Sequence, residues 1–162
     1  MKLVNITSTF EEYDSLNELN EQDRNLVQKA IEAAKNAYAP YSRFHVGAAV
    51  LLENGVVITG NNQENAAYPS GLCAERVALF SANAQYPDVP VLAIAVVAFN
   101  NQNQLTEQIT PPCGACRQVM IETETRFNKP MKVIMTGKKN VLVAKSVHDL
   151  LPLSFTSKEL EK

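Results

Sequence analysis

The sequence predicts an α/β layered domain in which one mixed sheet is covered by helices. Two observations carry that expectation. Stretches of helical spacing alternate with short runs rich in Val, Ile and Ala along the chain. A turn signal, Glu53-Asn54-Gly55, stands between two of those runs, so part of the sheet is a hairpin and antiparallel. No internal repeat, low-complexity tract or Pro/Gly/Ser linker divides the 162 residues. Residues 21–162 are therefore expected to form a single domain, with residues 1–20 an N-terminal arm or short strand.

Each element has its own signal. Residues 2–10 alternate loosely. Over residues 20–38 apolar side chains fall at Leu26, Val27, Ala30, Ile31, Ala33, Ala34 and Ala37, a helical stripe with Asn20 as its N-cap. The Ala39-Pro40-Tyr41 break ends it. Residues 46–52 read as a buried strand and 56–59 as its hairpin partner. Pro69-Ser70-Gly71 introduces a second helix that runs to about Ala84. Residues 90–99, rich in Val and Ile, form a strand covered on both faces. After a polar loop, Pro111-Pro112 precedes a third helix over 114–125. Late strands over 131–135 and 140–144 flank Gly137-Lys138-Lys139, giving five strands. Ser146 and Asp149 have the spacing of a capping box before a short last helix.

Charge and composition exclude several function classes. Lys and Arg total 15 against 17 for Asp and Glu, a formal charge of −2. That balance lacks the positive field needed to hold nucleic-acid phosphates or anionic lipid. The longest near-continuous apolar run, 89–99, is too short to span a bilayer. The first ten residues show no apolar core followed by a small-residue cleavage site, so no export is expected. Three cysteines, an odd number, argue against a disulfide framework and for a reducing compartment, the cytoplasm.

All three cysteines fall in two segments, Cys73-Ala74-Glu75-Arg76 and Pro112-Cys113-Gly114-Ala115-Cys116. Cys113 and Cys116 share one face if they open the third helix, and Cys73 lies at the expected start of the second. Helix N-termini carry partial positive charge and free N–H groups, which stabilise thiolates. Two such starts converging would place three sulfurs together and leave a fourth position open. Structural zinc sites close with four protein ligands, whereas catalytic ones keep three and a water. Neither His45 nor His148 sits in a ligand-like pattern. Glu75 then supplies a carboxylate able to take a proton and return it. Residues at i and i+2 diverge on a regular helix, so this requires Cys73 at the helix mouth and Glu75 in the first turn. Zinc with three thiolates is net negative, and Arg76 is the candidate for charge compensation. A redox Cys-x-x-Cys pair, a structural zinc site with a distant fourth ligand and buried inert thiols remain open on the residues alone. For Arg76 a surface ion pair is the plain alternative.

The Cys-x-Glu and Pro-Cys-x-x-Cys segments match the zinc deaminase signature, a pattern general to that class. Over residues 30–155 the chain resembles the small homotetrameric zinc-dependent cytidine deaminases. The resemblance rests on Tyr41-Ser42-Arg43-Phe44-His45-Val46-Gly47-Ala48, Gly60-Asn61-Asn62-Gln63-Glu64-Asn65-Ala66-Ala67-Tyr68, both cysteine segments with Arg117-Gln118-Val119, and Leu150-Leu151-Pro152-Leu153-Ser154-Phe155. It implies the three-layer cytidine-deaminase-like fold with a five-stranded mixed sheet. It also implies hydrolytic deamination of cytidine and deoxycytidine to the uridines, a step of pyrimidine salvage. Cys73, Cys113 and Cys116 would hold one zinc ion per chain, with Glu75 as the proton shuttle. The backbone of Ala74 would hold the base carbonyl, and Asn62 and Glu64 the sugar hydroxyls. Ala66 and Tyr68 belong to the same substrate-lining stretch. Phe44 and Phe155 would wall the pyrimidine, Phe155 reaching in from a neighbouring subunit of a homotetramer.

The chain departs from the family pattern at His45, where proline is common, and at Leu153-Ser154, where Gly-Ala is usual. Three rivals stand beside this reading. A deaminase of a blasticidin-type nucleoside antibiotic is disfavoured by Arg76 and Phe155. A deaminase of polynucleotide bases would need a phosphate-tracking groove, which the charge balance opposes. A zinc-stabilised binding protein without activity would have no use for Glu75.

Overall fold

The computed structural model describes residues 1–160. Its sheet has six strands: β1 (Phe10–Tyr13), β2 (His45–Leu52), β3 (Val57–Asn61), β4 (Val91–Phe99), β5 (Lys132–Thr136) and β6 (Val141–Ala144). They lie in the order β1-β6-β5-β4-β2-β3, with β4 and β5 parallel and every other neighbouring pair antiparallel. Three helices, α1 (Glu21–Ala34), α2 (Ala74–Gln85) and α3 (Gly114–Phe127), complete the layers. The mixed three-layer class expected from the sequence holds, but the strand count rises from five to six. The added strand is not the loosely alternating 2–10 stretch. It is Phe10–Tyr13, whose Phe10 pairs with Ala144 and Tyr13 with Val141. Two adjacent glutamates, Glu11 and Glu12, hide it from a reading based on apolar alternation; the β6 edge supplies its ladder.

The sheet separates two cores. On one face, Ala49, Leu51, Ala95, Val97 and Ile134 pack with Leu26, Val27, Ala30 and Ala34 of α1. On the other, Ala48, Val50, Ile94, Val96 and Val133 meet Ala74, Ala78, Leu79 of α2 and Met120, Ile121 of α3. Alternation along β2 and β4 sends successive side chains to opposite cores, which is why both strands read as unbroken apolar runs. Helices press close to the sheet where glycine allows it. A Cβ on Gly47 would sit 2.0 Å from the Ala30 carbonyl oxygen, and one on Gly60 2.5 Å from the Ala78 nitrogen.

Asn20 caps α1 as its sequence position predicts, accepting from the Asp23 N–H at 2.9 Å. The expected capping box at Ser146 and Asp149 does not form. Ser146 instead accepts from the His148 N–H ahead of a single 3-10 turn (Val147–Asp149), while the Asp149 carboxylate accepts from the Thr9 N–H at 2.9 Å. Both side chains are committed elsewhere: the Ser146 hydroxyl donates to Glu124 Oε1 at 2.6 Å, and the Asp149 carboxylate is engaged by Thr9.

Topology positions the site. β3 leads into α2 and then β4; β4 leads into α3 and then β5. Because β3 and β4 both run antiparallel to β2, they run parallel to each other, so both helices begin at the same end of the sheet. Both crossovers step in the same direction, so α2 and α3 share one face. In open α/β sheets the end at the strand C-termini, where helix N-termini gather, is where ligands bind.

Candidate active site

Two helix mouths meet at that end, and the cysteines occupy them. Cys73 is the N-cap residue of α2 and Cys113 that of α3, both with extended backbone, and Cys116 lies buried in the first turn of α3. The Cys73 and Cys113 sulfurs are 3.8 Å apart, those of Cys113 and Cys116 3.5 Å, and all three lie within 4.8 Å of one another. Metal–sulfur bonds of about 2.3 Å at tetrahedral angles require sulfurs about 3.8 Å apart. The three thiols therefore fit zinc, and among the described residues no histidine or carboxylate joins them as a fourth ligand.

Glu75 occupies the first turn of α2 and is 5% exposed. The non-helical Cys73 backbone removes the divergence expected for i and i+2 on a regular helix, so acid and thiol reach one spot. Burial holds the Glu75 carboxyl above the usual carboxylate range, and the neighbouring Cys73 adds to the shift. Arg76 Nη2 stands 3.8 Å from the Cys73 sulfur, while its buried Nε has no partner. The Cys73 thiol is pushed below its ordinary value, first by the Cys116 thiol and then by Arg76 and Cys113. Arg76 thus faces the sulfurs rather than a surface carboxylate.

Above the thiols opens a cavity of about 760 Å³. Its lining includes Phe44, Asn62, Glu64, Tyr68, Cys73, Glu75, Arg76 and Cys113. Asn62 is gripped on both sides of its amide: Oδ1 accepts from the Val46 N–H at 2.7 Å, and Nδ2 donates to the Phe44 carbonyl at 2.9 Å. These bonds fix the start of β2 and with it the Phe44 ring. Tyr41 and Tyr68 meet edge-on at the rim, centroids 6.3 Å apart. Ala74 is fully buried in the first turn of α2, and Ala66 lies exposed on the loop between β3 and α2; neither lines the cavity. Cys116 lies behind Cys113 and is likewise outside the lining.

Phe155 does not reach this cavity within its own chain. It is 59% exposed and borders a separate cleft with Pro152, Leu153 and His148. Its carbonyl accepts from Gln118 Nε2 at 2.8 Å, and Arg117 ties the tail to the metal loop by donating to the carbonyls of Leu150 and Pro112. Sequence reasoning missed Tyr41, Ser42, Thr110 and Pro111 as lining residues. Thr110 and Pro111 directly precede the Pro-Cys segment, a signal that could have found them.

Three thiols at paired helix N-termini beside a buried acid, on a three-layer mixed sheet, define a zinc-dependent hydrolase of the deaminase type. Residues 20–129 match the family model described as the cytidine and deoxycytidylate deaminase zinc-binding region. The cytidine deaminase of Halalkalibacterium halodurans is 44% identical over 135 residues, covering 83% of this chain and 95% of that protein. That of Mycobacterium tuberculosis is 36% identical over 144 residues, covering 86% and 95%. A crystal structure of the Burkholderia pseudomallei cytidine deaminase superposes with a TM-score of 0.70 at 45% identity, covering 81% of this chain and 97% of that one. The Mycobacterium tuberculosis structure gives 0.65 at 32% identity, covering 84% and 98%. The chain belongs to the zinc-dependent cytidine deaminase family.

Proposed function

We propose that this protein hydrolyses the C4 amino group of cytidine and deoxycytidine, yielding uridine or deoxyuridine and ammonia, as a step of pyrimidine salvage. One observation carries the reading: a buried carboxyl, Glu75, stands beside three clustered thiols at the floor of a nucleoside-sized cavity. Cys73, Cys113 and Cys116 would hold one zinc ion, which supplies Lewis acidity and makes water acidic near neutral pH.

Within that frame each residue has a task. Glu75 accepts a proton from the attacking water and delivers it to N3 of the base as the water oxygen bonds to C4. Glu75 then carries the second proton to the exocyclic amine, and the C4–N bond breaks to release ammonia as the carbonyl forms. A carboxyl raised by burial suits this cycle, because it must hold the proton between transfers. Phe44 packs on the ring. Asn62 and Glu64 take the sugar hydroxyls, with Tyr68 in the same lining stretch. Arg76 offsets the negative charge that three thiolates leave on the metal.

The exposed Phe155, fastened by its backbone yet absent from its own chain's cavity, supports a homotetramer in which it closes a neighbour's site. Three free thiols suit the reducing cytoplasm. No helix of the described residues is long and apolar enough to cross a membrane. The test is direct: purified protein is assayed for metal and for the ultraviolet loss of cytidine, with cytosine, a cytidine nucleotide and a single-stranded oligonucleotide alongside. About one zinc per chain and turnover confined to nucleosides support the proposal; turnover of the oligonucleotide, or none of cytidine, overturns it.

A further inference from the structure

The Glu64 carboxylate is held by the loop that follows α1. Its Oε2 accepts from the Tyr41 N–H at 2.9 Å and the Ser42 N–H at 3.3 Å, and its Oε1 accepts from Ser42 Oγ at 2.5 Å. Its own N–H donates to the Tyr38 carbonyl at 2.8 Å. Ser42 Oγ in turn accepts from the Phe44 N–H at 3.0 Å. A hydroxyl has one proton, and with Phe44 as its donor that proton is committed to Glu64. The Ser42 hydroxyl, and after it the two backbone N–H groups, holds the Glu64 carboxyl below the usual range. Glu64 is therefore an acceptor-only group. A carboxylate offers about four lone-pair sites, and three are occupied, which leaves one on Oε1.

We infer that Ser42 is a positioning residue for sugar recognition: its hydroxyl fixes the Glu64 carboxylate so that the remaining Oε1 lone pair receives a ring hydroxyl of the nucleoside. Both side chains line the cavity, and the Ser42 bridge also links Glu64 to the backbone of Phe44 beside the base. The inference rests on the nucleoside reading above and adds the group that sets its sugar specificity. It predicts that Ser42 discriminates substrates through a hydroxyl that it does not itself touch.

The test compares Ser42→Ala with the wild-type enzyme on cytidine and on 2′,3′-dideoxycytidine. Loss of one charge-assisted hydrogen bond corresponds to a change of roughly tenfold. The kcat/KM for cytidine falls by about that factor through KM, kcat stays within about twofold, and the value for dideoxycytidine barely moves. The ratio of the two substrates thus collapses by roughly tenfold. Ser42→Thr keeps the hydroxyl and restores the ratio, and Ser42→Ala adds nothing further in a Glu64→Gln background. Equal losses on both substrates would reduce Ser42 to a brace for the loop and overturn the inference, leaving the deaminase reading standing. Absence of turnover by the wild-type enzyme would instead overturn both.

Discussion

The floor of the site and its rim are built in different ways. At the floor, the reacting groups sit on two helix starts that the sheet topology brings to one end, and each is placed by its own short segment. At the rim, Asn62, Glu64 and the residue 41–44 loop hold one another through hydrogen bonds that span 16 to 23 positions, and Phe155 points away altogether. The floor is thus fixed by backbone geometry within one chain. The rim depends on side-chain clasps between segments distant in the chain. Chemistry and recognition are accordingly separable, and lesions in the two regions should divide between kcat and KM.

The largest expected effect is at the floor. Glu75→Gln should lower kcat by about 10³-fold, within the usual range for a lost acid–base group, while metal analysis still finds zinc. Loss of metal together with turnover would make Glu75 a structural support and blur the division. Next comes Arg76→Ala, which should cost on the order of tenfold in kcat, as the loss of a group bonded to a metal ligand does. Its zinc content should change less than its activity. An unchanged rate would leave the guanidinium with no part in charge compensation.

Rim lesions should be milder and of the other kind. Phe155→Ala should raise KM for cytidine by roughly fivefold, the value of one aromatic contact, with kcat nearly constant. Steady-state kinetics decides it; a pure kcat loss would move Phe155 into the floor. The smallest effect on turnover should come from Glu124, a buried residue of α3. Its carboxylate accepts from the Met131 and Val147 N–H groups and from Ser146 Oγ at 3.0, 2.8 and 2.6 Å. Glu124→Gln leaves donors without a matched acceptor and should destabilise by about 2 kcal/mol, a melting shift of roughly 4–8 °C. Turnover at room temperature should persist. A parallel collapse of activity would show that the floor, too, depends on distant clasps.

The same contrast explains what could be read from the sequence. Cys73, Glu75, Arg76, Cys113 and Cys116 were legible because their positions follow from local spacing at two helix starts. The three helices were legible from their apolar stripes and caps, and β2 and β4 from unbroken apolar runs between two cores. The edge strand β1 was not, because its residues are half polar and its pairing partner lies more than a hundred positions away. Glu124 and the Ser42–Glu64 clasp were hidden for a related reason. A lone carboxylate has no periodicity, and only the folded chain shows which N–H groups it serves. The exchange of partners at Ser146 and Asp149 belongs here as well, since Thr9 reaches Asp149 from the far end of the chain.

The account depends on three sulfurs holding one ion while a fourth position stays open to solvent. X-ray absorption at the zinc edge of the loaded protein measures this directly. Three sulfur neighbours at about 2.3 Å and one exchangeable light-atom neighbour are the predicted result. A fourth sulfur, or an imidazole in the remaining position, would contradict it.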